Sequence, residues 1–570
     1  MNGVVAAYSV WCGVLAGCCR RSVYLPVLLG LRTFPDGDFT HHFLPFSLFQ
    51  QHELLALRLP VWNPFTYSGH PFLADTQAAL FYPLSNLLLF ATLPWTDPAA
   101  RLYFLQLEAI VQIALAGFFV FLLVRELTGV WHAGLLAGAI FALSGYLTGY
   151  PPVQLAVLRT AIWLPLLLWL LLRAMLEPGR WRFWIGAVVC ASVMVLAGHP
   201  QTLLHAAYAT IAWVIFLLWQ APKTSIQTNA QTTTRVIGWL VCGLAIVGLS
   251  AVQLLPSLEF AQYSVRANVE YAFVSGGFPL QDTWQLLLPG VLTVYSPLYV
   301  GVVALGLVAL ALSRLRRGQP SPDAPKLGKG TLALRPAVAF FLALAVIALL
   351  LSYGENGFLY SLFYRLAPGW DRFRGQERAA YLVTLSLCVL SGYGVALLTQ
   401  LTLGQRRRIA LIYAAVVTIG VYAFGLIWQL PGRSAISQWS YLGVAFVTLT
   451  LAMGFVLLLW LPGWSRRRWI ILATLAIGNL FWANFSTNLG DYGPVRKTLL
   501  APEMVALEEA VAARADANLG LPGRVYNEAR IYDDYGMRQS MRGCLGGAAR
   551  CGWRPMRRSS TTSRWTACGV

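Results

Sequence analysis

Two carboxylates one residue apart, Asp36 and Asp38, stand in the segment FPDGDFTHHFLPF. The same polar stretch continues as RLPVWNPFTYSGHPFLADTQAALFYP, with Trp62, Asn63, His70, Asp75 and Gln77. Far downstream, YGENGFLYSLFYRLAPGWDRFRGQER carries Arg372, Arg374 and Arg378. Carboxylates can take the proton of a hydroxyl or hold a divalent cation. Arginine forks match the oxygens of phosphate, and can hold a phosphate leaving group. Together these suit transfer of a group from a phosphorylated lipid to an acceptor hydroxyl. Asp38 is the expected base or metal ligand, with Asp36 beside it and Mg or Mn as the cation. Trp62, Asn63, His70, Asp75 and Gln77 are expected to shape the pocket, joined by His199 and Gln201 of GlyHisProGln. Each residue also has a plainer role. Asp36-Gly37-Asp38 can be a turn, Asp75 a helix cap, GlyHisProGln a break between helices, and the arginines partners of Asp371 and Glu377. What favours chemistry is convergence on one face, which depends on the elements that carry these residues.

Those elements are apolar. The chain has 570 residues, 57% hydrophobic and only 11% charged, against about 25% charged in soluble domains. Repeated runs of bilayer length predict an all-α polytopic integral membrane protein. The expected spans are 4–19, 102–124, 131–150, 155–173, 184–198, 202–219, 236–256, 298–313, 336–352, 381–400, 409–428, 440–461 and 469–487, about thirteen in all. The formal charge of +19 does not point to nucleic acid. Its Arg and Lys gather in alternate short loops, at 173–182, 314–335, 406–408 and 466–468 among others, as the positive-inside rule requires. With the N-terminus inside, the large loop 32–101 and the tail after 487 fall outside. Arg20 and Arg21 run against this assignment, and so do the arginines of 353–380. A cluster kept against the rule points to an anionic partner. The nine cysteines form no disulfide or zinc pattern.

Domain boundaries follow from composition. Residues 1–313 form an N-terminal transmembrane module, 314–335 a Pro/Gly/basic cytoplasmic linker, and 336–488 a second group of spans. Residues 489–537 read as the start of an extracytoplasmic domain, with an amphipathic helix in PEMVALEEAVAARAD and a strand in GRVYNEARIY. From 538 to 570 the pattern dissolves into an Arg/Cys/Gly/Ser/Trp-rich sequence with no period. It reads as an aberrant or disordered tail, and the abrupt change is expected to mark a reading-frame shift.

The opening-loop motif, with GHPQTLLHAAY at 198–208, DRFRGQERAAYLVTLSLCVLSGYGVALL at 371–398 and GRVYNEARIYDDYGM at 523–537, resembles the YfhO-type bacterial membrane proteins. These are similar to the GT-C glycosyltransferases, which use polyprenyl-phosphate donors. The resemblance covers most of residues 30–537 and implies a GT-C-like fold in the bacterial cytoplasmic membrane. It implies an acidic catalytic residue in the first outer loop, where Asp36 and Asp38 match. It also implies a sugar moved from a polyprenyl-phosphate carrier to a cell-envelope acceptor. Two rivals remain: a flippase for lipids or lipid-linked sugars, and a non-catalytic envelope-assembly scaffold. A transporter needs ionisable groups within spans, and the expected spans hold few charged ones: Glu108, Arg159 and, at the very end of 155–173, Arg173.

Overall fold

The computed structural model describes residues 24–35, 37–66, 69–149, 154–177, 179–220, 229–264, 267, 269–293, 295–315, 332–428, 438–484 and 493–498, residue 510, and three short strands beyond them. Among the described residues of 24–484 the regular elements are helices. Among the described residues nine helices are long and apolar enough to cross a bilayer. Two further apolar helices, Trp181–Leu196 and Val302–Leu315, are shorter. Arg466–Asn484 adds another that begins with three arginines. Against an expectation of about thirteen spans, every expected run except 4–19 therefore contains helix, and 4–19 lies outside the described residues.

Two expected spans are interrupted. The run 131–150 is helical over Trp131–Ala142 and again over Gly145–Thr148, where Ser144 Oγ accepts the Leu147 amide at 3.5 Å. The run 155–173 divides into Leu155–Ala161 and Leu164–Leu176, and the second piece has Pro165 in its first turn. Proline disfavours helix at the residue before it but suits the opening turn of a new helix.

Pro98–Thr128 has equally legible ends. Asp97 Oδ2 accepts the Ala100 amide at 2.9 Å, and Gly129 closes the helix at φ 68°. That positive φ favours glycine and turns the chain directly into Trp131–Ala142. The two helices cross where Gly117 meets Gly138. A Cβ on Gly138 would lie 2.4 Å from the Gly117 carbonyl oxygen, so backbone packs on backbone as in small-residue membrane crossings.

The centre of the bundle is Ala380–Leu397, buried on every side. Its apolar pattern has no preferred face because every face is covered. Pro98–Thr128, Trp131–Ala142, Val302–Leu312 and Leu334–Ser352 all pack on it.

The first loop is more ordered than its composition suggests. It contains Leu44–Leu55 and Pro83–Ala91, and Asn229–Tyr263 grips its midpoint. There Gln253 Nε2 donates to Leu73 O at 2.9 Å and Ser257 Oγ to Ala74 O at 2.8 Å. Beyond the bundle, the strand Arg524–Tyr526 falls within the expected strand. It pairs in parallel with Arg542–Cys544 and antiparallel with Thr566–Cys568. Apart from residue 510, the expected helix at 502–516 lies outside the described residues, as does most of the linker 314–335.

Candidate functional site

Phe34 anchors the start of the first loop, its amide donating to Gln106 Oε1 at 2.7 Å inside the bundle. The wide helical turn Phe39–Phe43 then buries Phe39, Thr40 and Phe43. Asp38, just before it, is left exposed. Its Oδ2 accepts a hydrogen bond from Gln154 Nε2 at 2.8 Å. Gln154 stands at the N-terminus of Leu155–Ala161, and its Oε1 accepts from Arg378 Nη2 at 3.2 Å. Arg378 Nη1 donates to Gln201 Oε1 at 2.9 Å and to Arg374 O at 2.8 Å. Gln201 Nε2 completes the chain by donating to Gly375 O at 3.1 Å. Asp38, Gln154, Arg378 and Gln201 thus form one hydrogen-bonded row built from four separate segments. The carboxylate stands at one end and the guanidinium in the middle, with a neutral amide holding both.

The arginine loop is held by backbone contacts. Gln376 Nε2 donates to Val274 O and Phe373 O at 2.9 and 2.7 Å, and its amide to Gly276 O at 2.8 Å. Gly375 adopts φ 78°, which turns the chain just before Arg378. Tyr381 OH donates to Ala161 O at 2.5 Å, tying the central helix to the short helix that carries Gln154. Arg372 and Arg374 are engaged elsewhere. Arg372 pairs with Asp371 at 3.2 Å and donates to Ala267 O at 2.8 Å. The Arg374 guanidinium lies 5.6 Å from the centroid of the Phe273 ring. Both are exposed.

The remaining first-loop residues brace one another. Asn63 is fully buried; its Nδ2 donates to Thr66 Oγ1 at 3.0 Å and its Oδ1 accepts the Phe65 amide at 2.9 Å. Its backbone pairs with that of His70. Trp62 is exposed and its ring covers Gly69. His70 Nε2 lies 2.9 Å from Asp75 Oδ2, and Asp75 Oδ1 accepts the Gln77 amide at 2.8 Å. Burial opposes ionisation of Asp75, but the hydrogen bond and charge of His70, with His42 and the Gln77 amide, outweigh it. The carboxyl is held below its ordinary range. This turn sits on the GlyHisProGln break: a Cβ on Gly198 (φ 94°) would lie 2.1 Å from Thr76 O. His199 caps its helix, its Nδ1 accepting the Thr202 amide at 3.1 Å, while its own amide donates to Thr160 Oγ1 at 3.2 Å.

The structure therefore joins Asp38, Arg378 and Gln201, and seats the Asp75–Gln77 turn against the segment holding His199. Trp62, Asn63 and His70 belong to the loop's own hairpin. Asp36 lies outside the described residues. The residue that sequence reasoning does not single out is Gln154. Its only signal is that it is the one amide side chain in the polar turn TyrProProValGln between two apolar runs. Among the described residues no three His, Cys, Asp or Glu side chains cluster as a cation site. Asp38 brings one described carboxylate.

No family model matches the chain, and no curated protein matches it. Among solved structures it is similar to ArnT from Cupriavidus metallidurans in the apo state. There the identity is 12% and the TM-score 0.45, over 94% of this chain and 85% of that one. It is also similar to ArnT bound to undecaprenyl phosphate, at 11% identity and a TM-score of 0.43, over 94% and 85%. Likeness this distant does not assign a family.

Proposed function

We propose that the protein is a GT-C-like membrane glycosyltransferase that moves a sugar from a polyprenyl-phosphate carrier to a cell-envelope acceptor. The reading is carried by one observation: the exposed first-loop carboxylate of Asp38 and the late guanidinium of Arg378 are bridged by a single glutamine. The motif resemblance of the first loop supports it. The distribution of basic loops supports placing this face outside the bacterial cytoplasmic membrane, with the N-terminus inside.

The reaction is a single inverting displacement. Asp38 takes the proton of the acceptor hydroxyl as its oxygen attacks the anomeric carbon. The bond from that carbon to the phosphate oxygen breaks, and the electron pair leaves with the polyprenyl phosphate. Arg378 faces the charge that develops on the departing phosphate, with Arg372 and Arg374 at the rim. Gln154 holds base and clamp in register and carries no proton itself. Gln201 fixes the guanidinium plane. Trp62, the Asp75–Gln77 turn and His199 border the sugar, with Asn63 and His70 setting the shape of that turn. Any divalent cation would lie at Asp38 and Asp36.

The test incubates proteoliposomes with a labelled polyprenyl-phosphate sugar and envelope acceptors. Labelled covalent product supports the reading. Labelled lipid crossing sealed vesicles with no covalent product overturns it in favour of a flippase.

A further inference from the structure

Beneath the first loop lies a second ionic centre that the proposed reaction does not use. Arg159 and Glu108, nearly fully buried, pair through two bonds: Nε to Oε1 at 2.8 Å and Nη2 to Oε2 at 3.2 Å. Ser85 Oγ and Gln112 Nε2 also donate to Glu108 Oε1, at 2.6 and 2.7 Å. Glu108 thus accepts four hydrogen bonds, three on Oε1 and one on Oε2.

A second arginine reaches the same cavity. Arg101 lies in the first turn of Pro98–Thr128, just ahead of the expected start of that span at 102, and is 2% exposed. Its Nη2 donates to Thr92 Oγ1 at 2.6 Å and Thr92 O at 3.1 Å. Its Nε is buried and has no hydrogen-bond partner among the described residues. The cavity that Arg101, Arg159 and Glu108 line, with Ser47 and Gln50, holds about 20 Å³ for a water-sized occupant and opens into a wider recess.

Charge decides what belongs there. Two guanidinium groups and one carboxylate line the cavity, which leaves one positive charge. The N-terminus of Pro98–Thr128 adds partial charge of the same sign. Asp97, which caps that helix, is exposed. A buried cation without a counter-charge is strongly disfavoured, and an unmet buried donor adds to the cost. One anion would settle both. The inner space admits a single oxygen atom, and the wider recess, walled by Leu88, Leu89 and Leu105, suits the remainder of an amphiphilic molecule.

We infer that this cavity is an anion-binding subsite that takes a phosphate group, separate from Arg378. One phosphate oxygen meets Arg101 Nε, and Glu108–Arg159 forms the neutral floor. The inference stands whether or not the protein transfers sugars. A free phosphate ion and a lipid phosphate share this chemistry, so both serve as probes.

The experiment measures binding of inorganic phosphate and of short-chain phosphatidic acid to the full-length protein in zwitterionic nanodiscs. Arg101→Gln is expected to weaken one saturable component by about tenfold or more, and Arg378→Gln to leave that component intact. Loss confined to phosphatidic acid identifies a lipid headgroup as the ligand. Loss with both probes identifies the phosphate group itself. Unchanged binding in Arg101→Gln overturns the inference, and so does wild-type protein that binds neither probe. Should Arg101→Gln fail to fold, the structure of the wild-type protein with phosphatidic acid decides. Phosphate density within hydrogen-bond distance of Arg101 Nε supports the subsite, and density elsewhere or none overturns it.

Discussion

Asp38 and Arg378 lie far apart in the chain, yet one side chain, Gln154, touches both, at 2.8 and 3.2 Å. A hydrogen bond to a charged group contributes about 1.5–3 kcal/mol. Gln154→Leu should therefore cost about one order of magnitude or more in kcat/KM. Its effect should not add to that of Asp38→Asn, because both act on one unit. A double-mutant cycle on transfer rates checks this. Full additivity would mean that the bridge plays no part in the reaction.

Arg378 spends one guanidinium on three acceptors: Gln154, Gln201 and Arg374 O. Lysine keeps the charge but not the fork. Arg378→Lys should raise the KM for the lipid donor by about tenfold while the folded protein keeps its melting temperature. Donor titrations on purified protein read this directly. An unchanged KM would remove the clamp.

The His70–Asp75 pair gives the first loop an acid limit. Asp75 has a depressed pKa in the folded protein. Its stabilising contribution is therefore present above the unfolded value of about 3.9 and is lost as pH falls through the lower folded value. Protection from hydrogen exchange across the Phe72–Ala78 turns should stay constant from neutral pH down to about 5, where Asp75 remains ionised, and should fall only below about 4. Asp75→Asn should speed exchange there already at neutral pH. Equal exchange in variant and wild type at neutral pH would show that the pair does not hold the loop.

The crossing of Gly117 and Gly138 leaves no room for a side chain. Gly138→Val should destabilise the bundle by about 1–3 kcal/mol or more through overpacking. Thermal unfolding in detergent measures the loss. A surface glycine such as Gly404, which has open space around its Cβ position, is the matched control.

Much of this was legible in the sequence for physical reasons. Apolar runs of bilayer length become helices because lipid leaves the backbone no other partner. The proline and glycine punctuation at Asp97-Pro98 and Gly129 fixed helix ends locally. The expected alternation of spans also put the early acid and the late arginine on one face. Individual partners were not legible. Nothing local in TyrProProValGln says that Gln154 reaches across the bundle, since its two partners lie far away in sequence. Asn63 and His70 are expected from the sequence to shape the pocket, and their bonding partners were not legible: Asn63 bonds within the loop's hairpin and His70 lies against Asp75. A polar residue in a loop can serve the loop or a ligand, and only three-dimensional bonding tells which. Arg101 sat at the edge of a span, where sequence cannot tell a snorkelling arginine from a buried one.

The account's central claim is that Asp38 removes the acceptor proton. The most direct measurement is single-turnover transfer of labelled sugar by purified wild-type and Asp38→Asn protein, each with donor affinity measured in parallel. Asparagine keeps the shape and can still accept from Gln154, but cannot take a proton at neutral pH. The account predicts transfer slowed by about 10²–10⁴-fold with donor affinity nearly unchanged. Wild-type transfer rates in Asp38→Asn protein would contradict it.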